Sequence, residues 1–119
     1  MAKLLVNLVS GKDNIDKASV ALVVANAGIA GGQEVAVFLS VEAVLLAQKE
    51  VAETITAQGF KPLKELLDTF VNGGGTIWVC PPCANVRGVT EDKLIAGAVF
   101  AGGAKVVEFL SQGAGSVSY

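Results

Sequence analysis

Along this chain short apolar runs of strand type alternate with longer stretches of helical spacing, and no Pro-rich, Ser-rich or charged linker interrupts the alternation. Strands separated by helices pair as a mostly parallel sheet with helices on its faces. The first strand is expected over residues 4–9, followed by a polar loop at 10–14 and a helix over about 16–29. Between Val20 and Ala30 only Asn26 has a side chain with hydrogen-bonding groups, so this helix is apolar nearly all round. Such a helix must be covered on two sides. The sheet is one cover, and a neighbouring subunit is the expected other.

Gly31 and Gly32 stop that helix, residues 35–39 form a second strand, and Ser40 is placed to cap a helix with Glu42 in its first turn. Val44, Ala47, Val51 and Ile55 keep helical spacing as far as Gly59. Pro62 then opens a helix carrying Leu63, Leu66, Leu67, Phe70 and Val71 on one face, and Gly73, Gly74 and Gly75 end it. Residues 76–79 are a short buried strand running straight into Cys80. Thr90, Glu91 and Asp92 predict a further helix with Leu94, Ile95, Ala98 and Val99 on one face and Ala96 and Phe100 on the other. Residues 105–110 read as a fourth strand and 116–119 as a short edge strand. The expected fold is one α/β domain over residues 1–119, three layers (α/β/α) on a mostly parallel sheet of four to five strands.

With 119 residues and a mass of 12.1 kDa the chain is long enough to bury a core without metals or disulfides, leaving roughly 6,000 Å² exposed. It has no histidine, which removes Ser-His-Asp and Cys-His catalysis and the histidine-containing zinc sites. A net charge of -2 gives no electrostatic reason for nucleic-acid or membrane binding. Asn7 breaks the first apolar run before a signal sequence can form, so a cytoplasmic location is expected. Only 17% of residues are charged and the mean hydropathy is +0.58, which predicts that apolar surface meets another subunit.

In an open parallel sheet, chemistry gathers at the carboxyl ends of the strands. Three loops qualify: residues 10–14, 40–42 and 80–88. The first holds Gly11-Lys12 but no phosphate loop, since Val6 stands where its first glycine is needed and Asp13 replaces the Ser/Thr that would hold magnesium. The third holds the informative motif, Cys80-Pro81-Pro82-Cys83-Ala84-Asn85-Val86-Arg87-Gly88. Pro81 suits the first helical position, so Cys80 falls at the N-cap of a short turn ending near Gly88. There its sulfur is expected to meet unpaired amides and the positive end of a helix dipole, which favour thiolate, with Arg87 adding positive charge. Two cysteines alone cannot fill a zinc site within one chain, and no metal or other cofactor is expected. Burial as small hydrophobes and thioredoxin-type disulfide exchange remain rival readings of the pair, although no proline follows Pro82 to face it.

From its first strand to its last helix the chain resembles the DsrE/DsrF-like sulfur-relay proteins, which include YchN-like proteins and the TusD-type subunits of tRNA thiolation. The resemblance is sharpest where the apolar strand ends in Cys80 and continues as Cys83-Ala84-Asn85-Val86-Arg87-Gly88. It implies that Cys80 carries sulfur as a persulfide, with Cys83 as a second reactive thiol and Pro81, Arg87 and Gly88 in support. It also implies a sulfurtransferase-like relay between sulfur-donor and sulfur-acceptor proteins, and a homo-oligomer, trimeric or hexameric. A non-catalytic oligomeric scaffold and a small C-x-x-C disulfide reductase are the alternatives.

Overall fold

The computed structural model describes residues 2–119. It contains β1 (Lys3–Leu8), α1 (Ile15–Ala30), β2 (Glu34–Leu39), α2 (Leu63–Asn72), β3 (Thr76–Val79), α3 (Pro81–Val86), β4 (Ala98–Phe100), α4 (Gly103–Ser111) and β5 (Gly115–Ser118). All five strands are parallel, in the order β4-β3-β2-β1-β5. Leu8, Leu39 and Val79 share one register level, so the strands end together at one edge of the sheet.

Alternation along the strands divides the core between two faces. Val6, Leu8, Val37, Leu39, Ile77 and Val79 belong to the large core with α1 and α2. On the opposite face Leu5, Ala36 and Trp78 lie under Phe109 of α4. The Trp78 and Phe109 rings meet edge to face, 5.3 Å apart at 87°. Lys3 caps the stack, its Nζ 5.2 Å from the Phe109 ring centre and 2.9 Å from a Glu34 carboxylate oxygen. The chain exposes 5859 Å², close to what its size dictates.

Two stretches depart from the expected elements. Residues 41–59 keep their apolar spacing but form only 3₁₀ turns, Val41–Ala47 and Ala52–Thr54, because two distant segments clasp each other. Lys49 N–H donates to the Lys93 carbonyl and Ile95 N–H to the Ala47 carbonyl, both at 2.8 Å, while Gln48 bridges to Leu94. These cross-links take the backbone groups that an α-helix would use internally.

The second departure reverses a pair of elements. The expected helix over residues 90–100 is a single turn, Glu91–Lys93, followed by strand β4, and the expected strand over 105–110 is helix α4. Gly97 sits at φ +88 in close contact with Val71, which breaks helical continuity. In α4, Val106 and Phe109 turn inward at a spacing of three while Val107 and Leu110 face outward. Packing there overrides the β-preference of the valines.

The cover for α1 is also simpler than its composition predicts. The sheet lies beneath it and α2 against its flank, where Asn26 Nδ2 donates to the Leu66 carbonyl at 3.1 Å. Its outward strip is Val23, Ala27 and Ala30, and only Val23 is large, so α1 does not demand a neighbouring subunit.

Glycines close the helices. At the end of α2, Gly74 adopts φ +95, its N–H donates to the Val71 carbonyl and Gly75 N–H to Phe70, the paired bonds of a Schellman stop. Gly75 is required for space as well: a Cβ there would lie 2.3 Å from the Phe70 ring, which is fully buried. Gly75→Ala should therefore cost about 1–3 kcal/mol through overpacking. Gly103→Ala, with nothing within 4 Å of the added carbon, should stay within about 0.5 kcal/mol of the parent in the same denaturant titration.

Candidate functional site

Strand β3 delivers Cys80 to the carboxyl edge of the sheet, and the β2–β3 ladder continues one step further as Cys80 N–H donates to the Leu39 carbonyl at 2.9 Å. The next loop is tied down in the same way, since Ser40 N–H donates to the Leu8 carbonyl at 3.1 Å. Residue 11 has to be glycine for the first loop to fit, because a Cβ there would lie 2.7 Å from the Glu42 carbonyl oxygen. All three loops expected at this edge thus meet, and the loop after β4 joins them where Gly102 approaches Pro81.

Cys80 is the extended N-cap of α3, with Pro81 and Pro82 in the first two helical positions and Cys83 in the third. Ala84 N–H donates to the Cys80 carbonyl at 3.0 Å and closes the turn. Gly88, at φ +70, ends it by letting Val89 N–H reach the Ala84 carbonyl at 2.9 Å. Both cysteines are free, half-buried and close together.

Arg87 reaches back across the site. Its Nε donates to Glu42 Oε1 at 2.9 Å and its Nη1 to the Cys83 carbonyl at 3.2 Å. The pair is partly exposed, so it orients the loops more than it stabilises them. Val41, between Ser40 and Glu42, is held at φ +55. A β-branched residue rarely occupies that region, and strain of this kind collects at functional positions.

The two thiols differ, and in the sense opposite to that expected. Burial pushes the Cys80 thiol above its ordinary range, and the Cys83 thiol beside it adds to the shift. The helix terminus gives Cys80 little help because Pro81 and Pro82 carry no N–H. That leaves only the Cys83 amide facing the Cys80 sulfur, at a geometry short of a full capping hydrogen bond. Cys83 is shifted down, first by the Val41 N–H, then by donation from the Cys80 thiol, with Arg87 contributing less. The prolines that place Cys80 at the helix terminus thus remove the amides expected to activate it.

The structure brings Cys80, Pro81, Cys83, Arg87 and Gly88 into one loop and adds two residues, Val41 and Glu42, whose part in it the sequence did not reveal. Loop 40–42 was placed at this edge by topology, but nothing in a run of Ser, Val and Glu signals a left-handed valine or a partner 45 residues away. Among the described residues no group of three or more His, Cys, Asp or Glu could hold a metal, and no helix is long and apolar enough to cross a membrane. Open surface grooves of about 440 and 350 Å³ lie elsewhere, the first along the outer edge of β4 and the second between α1 and α2.

The profile of the DsrE/DsrF-like family matches residues 3–118. Among solved structures the chain is similar to the YchN protein from E. coli, with a TM-score of 0.75 at 13% identity and full coverage of both chains. It is similar also to MTH1491 from Methanobacterium thermoautotrophicum, a protein of unknown function, with a TM-score of 0.70 at 12% identity and full coverage of both. BT1422 from Bacteroides thetaiotaomicron, likewise of unknown function, aligns over 98% of this chain and 94% of its own with a TM-score of 0.68 at 18% identity. Among curated proteins there is no significant match.

The unlike thiols can be read directly. Limited alkylation with iodoacetamide at pH 7, followed by fragment mapping, should label Cys83 ahead of Cys80, because the thiolate is the reacting form and its fraction is greater at Cys83. Preference for Cys80 would show that the two environments are assigned the wrong way round.

Proposed function

The chain belongs to the DsrE/DsrF-like family, and from that premise we propose that it is a sulfurtransferase-like sulfur carrier, holding sulfane sulfur as a persulfide on Cys80 and passing it to a cysteine of a partner protein. The observation that carries this reading is the pair of free, half-buried thiols fixed at the carboxyl edge of the sheet by backbone bonds and by Arg87. Persulfide transfer asks for little more. A thiolate attacks the outer sulfur of a donor R–S–SH, the S–S bond to the donor breaks, and R–S⁻ leaves. The sulfane sulfur keeps its oxidation level, so the transfer needs no cofactor.

Cys83 has a second use in this reading. Its thiolate can attack the inner sulfur of a Cys80 persulfide, forming a Cys80–Cys83 disulfide and expelling HS⁻. Pro81, Pro82, Arg87 and Gly88 set the spacing on which both reactions depend. A protein acting mainly by that second reaction would reduce sulfane sulfur to sulfide at the cost of oxidising its own thiol pair, and it would accumulate disulfide and sulfide in place of persulfide.

The carrier is expected to work as a homo-oligomer, trimeric or hexameric, in the cytoplasm, between sulfur-donor and sulfur-acceptor proteins. Exposed apolar residues around the site support an assembly: Val9, Val41 and Val99 are each about half exposed and Val86 is 76% exposed. Phe38 lies half-buried beside Val99's strand neighbour Trp78, on the sheet face that α4 covers only in part. A contact of ~800 Å² per partner would bury much of this surface.

Incubation with glutathione persulfide followed by intact-mass analysis should show added sulfur on the wild-type protein, resident on Cys80 at equilibrium. An unmodified wild type would overturn the carrier reading. Cys83→Ser should still become loaded and should retain its sulfur several-fold longer, about the change expected when an adjacent attacking thiol is removed. Light scattering at micromolar concentration should return a mass well above 12.1 kDa, whereas a clean monomer would refute the assembly.

A further inference from the structure

The two cysteines are anchored from different sides, and the anchor of the second begins outside α3. Cys80 is fixed to the sheet, its N–H donating to the Leu39 carbonyl at 2.9 Å. Pro81 and Pro82 donate nothing, so the turn between the thiols has no amide of its own to hold it before Cys83. The Cys83 carbonyl instead accepts from Arg87 Nη1 at 3.2 Å, and Arg87 is itself held by Glu42, whose Oε1 accepts from Nε at 2.9 Å. A chain of hydrogen bonds thus runs from the loop after β2, through a guanidinium, to the backbone of the second cysteine.

Glu42 is pinned on both sides. Before it, Ser40 N–H is tied to the Leu8 carbonyl at 3.1 Å, and Val41 is held at φ +55, a conformation that a β-branched residue keeps only under constraint. Against it lies Gly11, where a Cβ would come within 2.7 Å of the Glu42 carbonyl oxygen. The Glu42 side chain is 41% exposed, and an ion pair so open contributes little to stability. Strain at Val41 and crowding at Gly11 therefore place a side chain of small worth to the fold, and its contact leads to a thiol-bearing residue. We propose that Glu42 is a positioning residue: through Arg87 it holds the backbone of Cys83 in place beside Cys80, and so it sets how readily Cys83 closes on a sulfur-loaded Cys80.

This rests on the carrier reading and concerns the fate of the sulfur that Cys80 carries. Cys83, its proton released to water, attacks the inner sulfur of the Cys80 persulfide. The Cys80–Cys83 bond forms, the bond from Cys80 to the outer sulfur breaks, and the outer sulfur leaves with its hydrogen as HS⁻. The sulfane sulfur is reduced to sulfide while the two thiols become a disulfide, and two equivalents of a small thiol such as glutathione return the pair to the dithiol. Rate and equilibrium both depend on the effective concentration of one sulfur at the other, which falls when either backbone is free to move. Cys80 is fixed by the sheet whatever happens at Glu42, so loosening Glu42 frees Cys83 alone. A firm hold favours release of sulfide, and a loosened one leaves the persulfide in place for delivery to an acceptor thiol.

Two measurements on the same variants test the assignment. Protein loaded with glutathione persulfide and freed of excess reagent is followed for sulfide release and loss of persulfide, and unloaded protein is equilibrated in glutathione redox buffers to read the fraction of Cys80–Cys83 disulfide. Glu42→Ala should release sulfide about tenfold more slowly than the wild type and lower the effective concentration of the pair by a similar factor. Glu42→Gln keeps an oxygen that can accept from Arg87 Nε and should stay within about threefold of the wild type in both measurements, which separates position from charge. In a Cys83→Ser background, Glu42→Ala should leave the persulfide lifetime as it is in Cys83→Ser alone, because no closing thiol remains to be positioned. Wild-type values for Glu42→Ala in both measurements, Glu42→Gln matching Glu42→Ala, or an equal effect of Glu42→Ala with Cys83 absent would overturn the role of Glu42 and leave the carrier reading standing. A wild type that takes up no sulfur removes the carrier reading, and the disulfide equilibrium then decides the role of Glu42 by itself.

Discussion

The site depends on one backbone hydrogen bond, from Cys80 N–H to the Leu39 carbonyl. It carries the β2–β3 ladder one residue past the last strand pair and places the first helical turn of α3 beside the loop that follows β2. Without that step the Val41 amide and the Glu42 carboxylate would have nothing to face. With it, a parallel register set by apolar residues deep in the sheet becomes the positioning device for two thiols at its rim. Rigid strand ends fix a reactive group more closely than a free loop can.

Much of this was legible in the sequence, and the errors have physical causes. β1, α1, β2, α2 and β3 announce themselves because apolar period and stop signals agree, as with Gly31–Gly32 after α1 and Gly73–Gly75 after α2. The stretch from Thr90 to Leu110 was read in reverse because its segments are short and their local preferences oppose their tertiary roles. Lys105-Val106-Val107-Glu108-Phe109-Leu110 has strand-like composition, yet it must cover Trp78, and a helix presents Val106 and Phe109 together for that purpose. Gly97 inside the supposed helix and Gly113 after the supposed strand were the available warnings.

The candidate site divides along the same line. Its cysteines, Arg87 and position at the carboxyl edge follow from motif and topology. Its electrostatics do not, because they hinge on a valine amide delivered from 42 residues upstream of the second cysteine. The helix terminus at Cys80 is real, but Pro81 and Pro82 contribute none of the donors by which such a terminus acts. A short helix opening with two prolines is a poor host for an anion at its N-cap, whatever the direction of its dipole.

The sheet order also governs how the protein can come into being. β1 lies between β2 and β5, and β5 is the last strand of the sequence, joined through Tyr119 N–H to Asn7 and Val9 N–H to Tyr119. Every ladder is parallel, so no hairpin can form early as a seed and each pairing must close a long loop. On the ribosome the first strand emerges with one of its two neighbours still unsynthesised through more than a hundred residues, its edge open until β5 has been made. The apolar sequence that gives β1 its place inside the finished sheet, between β2 and β5, is during that interval the segment most in need of protection from pairing with another chain.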